Sequence, residues 1–371
     1  MKISIDATGL GEVKTGTGVY VSEVLRCWNA DKAIEDEFII FANPGAVQYL
    51  LPLELDARFR FIVAPECRWI RGLWQQSVLV WLLRQQRVHV HWGTGFVLPI
   101  LTRSQTVVTI HDLSFQLFPE VHERFKRYYF PLMINLAVRK AASVLAVSQT
   151  TASDLGSFLP AAKGKTVVTR LAPRRLDGNG AVWRTNTLPA SPYILFVGTL
   201  EPRKNLISLL AAWQMMTDEQ RAGMHLLVVG SPGWMMEHRL KPYRHLDQSV
   251  CFTGFVSDDE LGDLIRGALL LAYPSLYEGF GLPVIEAMSL GVPVLTSSVG
   301  ATQEVAKDAA WLVDPTSVDQ IRGGLIRLVS DDALRQRLMV RGRERAGEFS
   351  WSKTAQATID VLHQNGRRIE R

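Results

Sequence analysis

The chain reads as an α/β protein of two domains, each a parallel sheet with helices packed on it. Three observations carry that reading. Its 371 residues exceed the roughly 250 to 300 at which one hydrophobic core stops growing, so a second core is expected. Short apolar runs of strand length alternate with segments of helical period, as in repeated βαβ units. The stretch 269–295 shows one such unit complete: an apolar run at 269–272, a glycine loop, a helix, and a second apolar run at 292–295.

Composition limits the function classes. Apolar residues make up 47% and charged residues 21%, the balance of an ordinary globular protein and not of a disordered one. No apolar run approaches the ~18 residues of a membrane span, and Asp6 falls where a signal peptide needs its apolar region, so a cytoplasmic protein is expected. The net charge of +5 favours phosphate-bearing partners or an anionic membrane surface. It is too small to argue for nucleic acid, and no nucleic-acid signature accompanies it. Cys27, Cys67 and Cys251 have no metal-ligand spacing, and buried free thiols are expected.

In chain order, 2–5 alternates as a first strand ended by Asp6. A turn-rich stretch to Gly18 follows, then a helix over 19–28 with Val21, Val24 and Leu25 at helical spacing. Strands are expected at 38–41 and 59–63. Between Arg68 and Arg87 the residues Ile70, Leu73, Trp74, Ser77, Val78 and Trp81 follow the i, i+3, i+4 spacing of one amphipathic helix. Core packing fits that stripe; three tryptophans and flanking arginines also fit an interfacial helix. The alternation of 88–92 is that of a strand with His89 and His91 on one face, and no third ligand makes it a metal site.

The next strand, 106–110, ends in His111 and Asp112. Ligands of open parallel sheets sit beyond the carboxyl ends of strands, so His111 is expected in the active site. A helix over 122–142 carries Arg124, Lys126 and Arg127 near its start, either as a solvated face or for phosphate on the acceptor side. Elements at 144–147, after Ser148 and at 166–169 complete the first domain. The stretch 173–192, rich in Arg, Gly, Asn and Pro, reads as a linker.

Strand 193–197 opens the second domain, and Gly198 to Leu206 follow it directly. Arg203 and Lys204 thus stand where a strand gives way to a helix, in position to offset negative charge. Strands at 226–229 and 250–253 continue the alternation, and Ser257 to Glu260 form a capping box for the next helix. In the unit at 269–295, Pro283 suits the first helical position and Gly291 the left-handed residue past the helix end. Gly279 and Gly281 let backbone N–H groups of the preceding loop approach an anion, and Glu278 and Glu286 bracket that loop. A carboxylate on so apolar a helix as that of Glu286 needs hydrogen-bond donors, which sugar hydroxyls would supply.

Glu278 and Glu286, with seven residues between them in Glu278-Gly279-Phe280-Gly281-Leu282-Pro283-Val284-Ile285-Glu286-Ala287-Met288, resemble the paired-glutamate signature of retaining glycosyltransferases of family 4. The resemblance implies the GT-B architecture, two Rossmann-like domains facing across a cleft, and transfer of a sugar from a nucleotide diphosphate donor. It implies a first domain over 1–173, a linker over 174–192, a donor domain over 193–349 and a helix at 350–371 crossing back to the first domain. It assigns Arg203 and Lys204 to the diphosphate, Glu278 to the hydroxyls of the donor sugar and Glu286 to the ribose. Gly198, Gly279, Phe280, Gly281 and Leu282 fall on the donor side, and Phe255 and Val256, after Gly254, hold the nucleobase through backbone groups. The loop from Thr15 to Tyr20 resembles the family's first glycine loop, which would bring Gly16 and Gly18 to the donor, although Thr17 separates glycines that are often adjacent. His111-Asp112-Leu113 and Phe118-Pro119-Glu120 resemble mannosyltransferase-like members, with His111 near the donor sugar and Asp112 shaping the acceptor side.

No Asp-any-Asp pair for a divalent ion occurs, so neither metal nor other cofactor is expected. Charge on the departing diphosphate then falls to Arg203, Lys204 and the N–H groups near Gly281 and Leu282. Front-face transfer with retention follows as the expected mechanism. GDP-mannose is the expected donor, with UDP-glucose or UDP-N-acetylglucosamine as the alternative, and a glycan or polyprenyl-diphosphate-linked acceptor is expected at the cytoplasmic face of the inner membrane. A nucleotide-sugar epimerase and a noncatalytic nucleotide-sugar-binding subunit remain as the competing readings.

Overall fold

The computed structural model describes residues 1–11, 15–119, 124–176, 192–233, 236–246 and 248–367, with the backbone alone for 68, 124–126, 237 and 244. The chain folds as two compact units. Residues 1–171 and 350–371 form the first, and residues 172–349 the second.

The first unit holds β1 (Lys2–Asp6), β2 (Glu37–Ala42), β3 (Phe59–Val63), β4 (Val90–Gly93), β5 (Gln105–Ile110), β6 (Ser143–Ala146) and β7 (Thr166–Val168). They pair in the order β3-β2-β1-β4-β5-β6-β7, every pairing parallel, with Ser4 opposite His91 in the β1–β4 register. The second unit holds β8 (Tyr193–Val197), β9 (His225–Val229), β10 (Val250–Gly254), β11 (Leu270–Tyr273), β12 (Val294–Ser297) and β13 (Trp311–Val313), again all parallel, in the order β10-β9-β8-β11-β12-β13. Helices cover both faces, which is why strands such as 38–41 and 194–197 are continuous apolar runs instead of alternating ones. In each sheet the strand order reverses beside the first strand of the unit, and the carboxyl ends of β1 and β8 therefore border crevices suited to a ligand.

Local chemistry explains most element boundaries. Ser148 and the Ser257–Glu260 capping box open helices Gln149–Phe158 and Asp258–Gly267. Thr15 caps the helix Gly16–Ala30, so the expected glycine loop is in fact the helix's first turn: the N–H of Gly18 donates to Thr15 Oγ1, and Gly18 packs against the Tyr49 ring.

The single helix expected over 68–87 is two, Arg68–Gln76 and Val78–Gln85, broken at Ser77 with φ −128° and ψ −76°. The Ser77 hydroxyl donates to the Leu73 carbonyl at 2.7 Å, a local bond that competes with the helical ladder. Of the expected stripe, Trp74 packs on the core, edge-on to Phe41, and the other apolar members do not. Leu73 is 75% and Trp69 67% exposed, and Ile70, Val78 and Trp81 are exposed beside them, while Leu79 and Leu83 pack on Ile39 and Phe41 of β2. Cys67, at the start of the first of these helices, is exposed, and Cys27 and Cys251 are half-buried, so none is in a disulfide but none is the buried thiol expected.

His89 precedes β4 and accepts the Lys2 N–H on Nδ1 at 3.0 Å, while His91 Nδ1 meets Ser4 Oγ at 2.8 Å; the two rings serve different neighbours. The helix expected over 122–142 is Arg124–Lys140, and residues 122 and 123 lie outside the described part. The side chains of Arg124 and Lys126, like Glu120, also lie outside it. Of the expected linker, Arg174 and Leu176 pack within the second unit, where Arg266 donates to the Leu176 carbonyl, and 177–191 are outside the described residues.

Candidate active site

At the carboxyl end of β8 the chain turns through Gly198, where the backbone of Gly230 comes so close that a Cβ there would stand 2.0 Å from the Gly198 carbonyl oxygen. Only glycine at 230 allows this approach. A short turn, Pro202–Lys204, follows and is locked by Asn205, whose side-chain amide donates to the carbonyls of Pro274 and Pro315. The adjacent basic pair is thereby held against the loop that leaves β11.

Both bases meet Glu278 there. Lys204 Nζ donates to Glu278 Oε1 at 2.6 Å and to the Tyr273 hydroxyl at 2.7 Å, and Arg203 Nη1 donates to Glu278 Oε2 at 2.9 Å. Tyr273 and Ser275 hydroxyls each donate to Oε1 at 2.7 Å, and Arg203 Nε pairs with Glu201 at 2.7 Å. Lys204, Glu201 and Glu278 are buried. Burial pushes the Glu278 carboxyl up, but the Lys204 and Arg203 charges and their hydrogen bonds outweigh it and hold it at about 2. Burial, then the Arg203 charge, pulls the Lys204 amine below its ordinary value, and burial and the Glu278 charge push the Tyr273 hydroxyl well above its own. Glu278 is the anchor of two cations in this geometry, a role that sequence spacing did not suggest. Glu201 and Tyr273 were missed as well: Glu201 pairs with Arg203 only two positions on, but nothing in a turn glutamate or a strand-end tyrosine marks it as part of a cluster that joins Lys204 to Tyr273 across 69 positions.

The helix Leu282–Ser289 begins after Gly281, which adopts φ 99° and whose added Cβ would meet Thr302 Cγ2 at 3.0 Å. Gly291 past its end has φ 73°, as the helix-stop pattern expects. Phe280 is buried with its ring edge-on to Phe349. Glu286 is fully buried, and both its oxygens accept from Arg174, Nε at 2.5 Å and Nη2 at 2.9 Å. Arg174, assigned to the linker by composition, is thus a site residue. At the end of β10, Gly254 takes the Gly230 N–H on its carbonyl, and beyond it Phe255 is exposed and Val256 buried.

The first unit has its own cavity of about 430 Å³ at the carboxyl ends of β1, β4 and β5. His111 and Asp112 line it, together with Asp6, Gln75, Thr94 and the aromatic rings of Phe96, Phe115 and Tyr129. Asp6 accepts from Thr8 N–H at 2.9 Å, from the Thr8 hydroxyl at 2.6 Å and from Gln75 Nε2 at 2.8 Å. Its place at the end of β1, beside the strand-order reversal, is the signal that could have singled it out. His111 Nε2 lies 2.9 Å from the Thr94 carbonyl, which can only accept, so the proton is on Nε2 and Nδ1 is left as an acceptor. Burial pulls the His111 ring below its ordinary value, so it is neutral at pH 7. Asp112 accepts from the Ser114 N–H and hydroxyl at 2.9 and 2.8 Å. Gly16, also of this unit, opens the Gly16–Ala30 helix and is exposed.

Two doubly wound parallel units of this kind make the GT-B fold of nucleotide-sugar transferases. The sucrose-phosphate synthase (tll1590) of Thermosynechococcus elongatus superimposes with a TM-score of 0.76 over 98% of each chain at 21% identity. The family described as glycosyl transferases group 1 matches residues 183–345. An Escherichia coli protein named O-antigen chain mannosyltransferase B is 33% identical over 289 residues, 76% of each chain. The Escherichia coli serotype-specific mannosyltransferase WbdA is 28% identical over 274 residues, 69% of this chain and 33% of that longer protein. The chain belongs to the glycosyl transferases of group 1 and is a glycosyltransferase.

Proposed function

We propose that the chain transfers mannose from GDP-mannose, with retention and without a metal ion, to a glycan or polyprenyl-diphosphate-linked acceptor of surface polysaccharide assembly. The cluster of Arg203, Lys204 and Glu278 carries the catalytic part of the reading, and the mannosyltransferase names of the relatives support the sugar. Arg203 and Lys204 present fixed donors where charge develops on the departing diphosphate, supplying what a divalent ion supplies elsewhere. Glu278 holds both cations in place and keeps its charge, so they need not reorganise as the bond breaks. The C1–O bond to the diphosphate breaks and the acceptor oxygen bonds C1 on the same face. The acceptor proton passes to the leaving phosphate oxygen. Glu286 is assigned to the ribose hydroxyls, and the exposed Phe255 and the backbone around Val256 to the base.

The cavity of the first unit suits the acceptor sugar. Asp6 and Asp112 are acceptors for hydroxyls, Nδ1 of neutral His111 is another, and Phe96, Phe115 and Tyr129 offer rings to apolar sugar faces. No helix among the described residues is long and apolar enough to cross a membrane. The exposed Trp69, Ile70, Leu73, Val78 and Trp81, beside exposed Arg84 and Arg87, support peripheral contact with an anionic membrane face in the cytoplasm.

Product formation from a panel of GDP- and UDP-sugars, with and without EDTA, tests the proposal. Turnover of GDP-mannose that is insensitive to EDTA is expected, and replacing Arg203 and Lys204 together by Ala should lower kcat roughly a hundredfold or more. Turnover of UDP-sugars alone would overturn the donor, restoration by Mn²⁺ after EDTA the metal-free mechanism, and wild-type rates in the double variant the role of the basic pair.

A further inference from the structure

Glu286 lies on a helix whose inward members Val284, Ile285, Ala287 and Met288 are apolar, and no part of its carboxylate reaches solvent. What covers it is Arg174. The guanidinium approaches side-on, with Nε 2.5 Å from Oε1 and Nη2 2.9 Å from Oε2, while Nη1 donates to Asp258 Oδ1 at 3.0 Å. Two parallel N–H groups on one carboxylate make the hydrogen-bond pattern that two vicinal hydroxyls make when they donate side by side.

We infer that Arg174 is a gate on the nucleotide's ribose: it occupies the place from which the 2′ and 3′ hydroxyls reach Glu286, and the donor binds by exchanging those hydroxyls for the guanidinium. The inference rests on the assignment of Glu286 to the ribose.

Three features support an exchange over a permanent support. With Glu286 fully buried and both its oxygens taken by Arg174, a ligand gains contact with it only when Arg174 moves. Asp258, at the first turn of helix Asp258–Gly267 and partly exposed, is a second carboxylate that can keep the released guanidinium paired, so opening strands no buried cation. Arg174 also belongs to a segment, 171–176, without helix or strand, and a change in its backbone torsions breaks no ladder of hydrogen bonds. The exchange replaces one set of donors on Glu286 by another and never leaves its charge bare, which an apolar helix would penalise heavily.

The consequence is a measurable tax on donor affinity. If the site is open in only a fraction of molecules, the apparent Kd is the intrinsic one divided by that fraction, and removing the gate recovers the difference. Arg174→Met keeps the aliphatic stem and deletes the donors. Calorimetric titration of wild type, Arg174→Met, Arg174→Lys and Glu286→Gln with GDP, UDP and their 2′,3′-dideoxy analogues reads the effect.

Arg174→Met should bind GDP at least tenfold more tightly than wild type, the dideoxy analogue should gain less, and Arg174→Lys, with one donor group in place of a fork, should fall between. Equal or weaker GDP binding in Arg174→Met overturns the gate and makes Arg174 a support. Should Arg174→Met fail to fold, the lysine variant decides alone: tighter binding than wild type sustains the gate, equal or weaker binding overturns it. Failure of the underlying assignment looks different: wild type and Glu286→Gln would then bind GDP equally, or wild type would bind neither nucleotide, and the inference falls with it.

Discussion

Glu278 shows how one residue's environment sets both the chemistry and its pH dependence. Its folded pKa of about 2 lies below the ordinary value of 4.5, so its contribution to stability is complete above 4.5 and is lost as pH falls towards 2. The gap corresponds to about 3 kcal/mol for a group this well buried. Urea unfolding at a series of pH values should therefore show wild type losing about 3 kcal/mol more than Glu278→Gln between pH 4.5 and 2. Parallel pH dependences in the two proteins would show that Glu278 is not the anchor of Lys204 and Arg203. At neutral pH the glutamine variant leaves the buried Lys204 without its carboxylate partner and Arg203 with Glu201 alone, so it should also be the less stable of the two.

Among the elements, the helices Arg68–Gln76 and Val78–Gln85 depart furthest from expectation. Their apolar residues have the spacing of a buried stripe, yet Trp69, Leu73 and Trp81 face solvent and Leu79 and Leu83 take the core side. The break at Ser77 lets each short helix turn its own face to the sheet. Burying each exposed apolar side chain in a lipid interface is worth about 1.5 to 3 kcal/mol. Replacing Trp69, Leu73 and Trp81 together by Ser should thus cut affinity for vesicles containing anionic phospholipid at least tenfold in a sedimentation assay, with unchanged folding. Equal sedimentation of the two proteins, or none of the wild type, would remove the membrane from the proposed function. The helix Leu282–Ser289, by contrast, follows its local signals closely, from Pro283 in its first turn to Gly291 past its end.

At the scale of the whole molecule, the last helix, Trp351–Gly366, is structurally part of the first unit. The indole N–H of Trp28 donates to the Ala355 carbonyl at 3.0 Å, His363 pairs with Asp36 at 2.8 Å, and Ile359, Val361 and Leu362 are buried. A chain ending at residue 349 should accordingly lose more than about 4 kcal/mol in the first unit, at about 1.5 to 3 kcal/mol per buried aliphatic side chain. Thermal unfolding followed by calorimetry reads this, and an unchanged first-unit midpoint would mean that the helix is dispensable. The sequence alone determined the strands, because a parallel sheet covered on both faces demands continuous apolar runs, and it determined the helix stops and caps, because those are contacts between near neighbours in the chain. It also showed Glu278, Glu286, Arg203 and Lys204 as candidates through a local motif. Tertiary structure alone decided their partners: Glu278 meets Lys204 across 74 positions and Glu286 meets Arg174 across 112. Such pairs depend on which loops the strand order brings to one edge of the sheet, and spacing along the chain carries no record of that order. Which face of the 68–85 segment meets solvent was decided in the same way, by the shape of the sheet it packs on, since periodicity shows that a face exists and not what covers it.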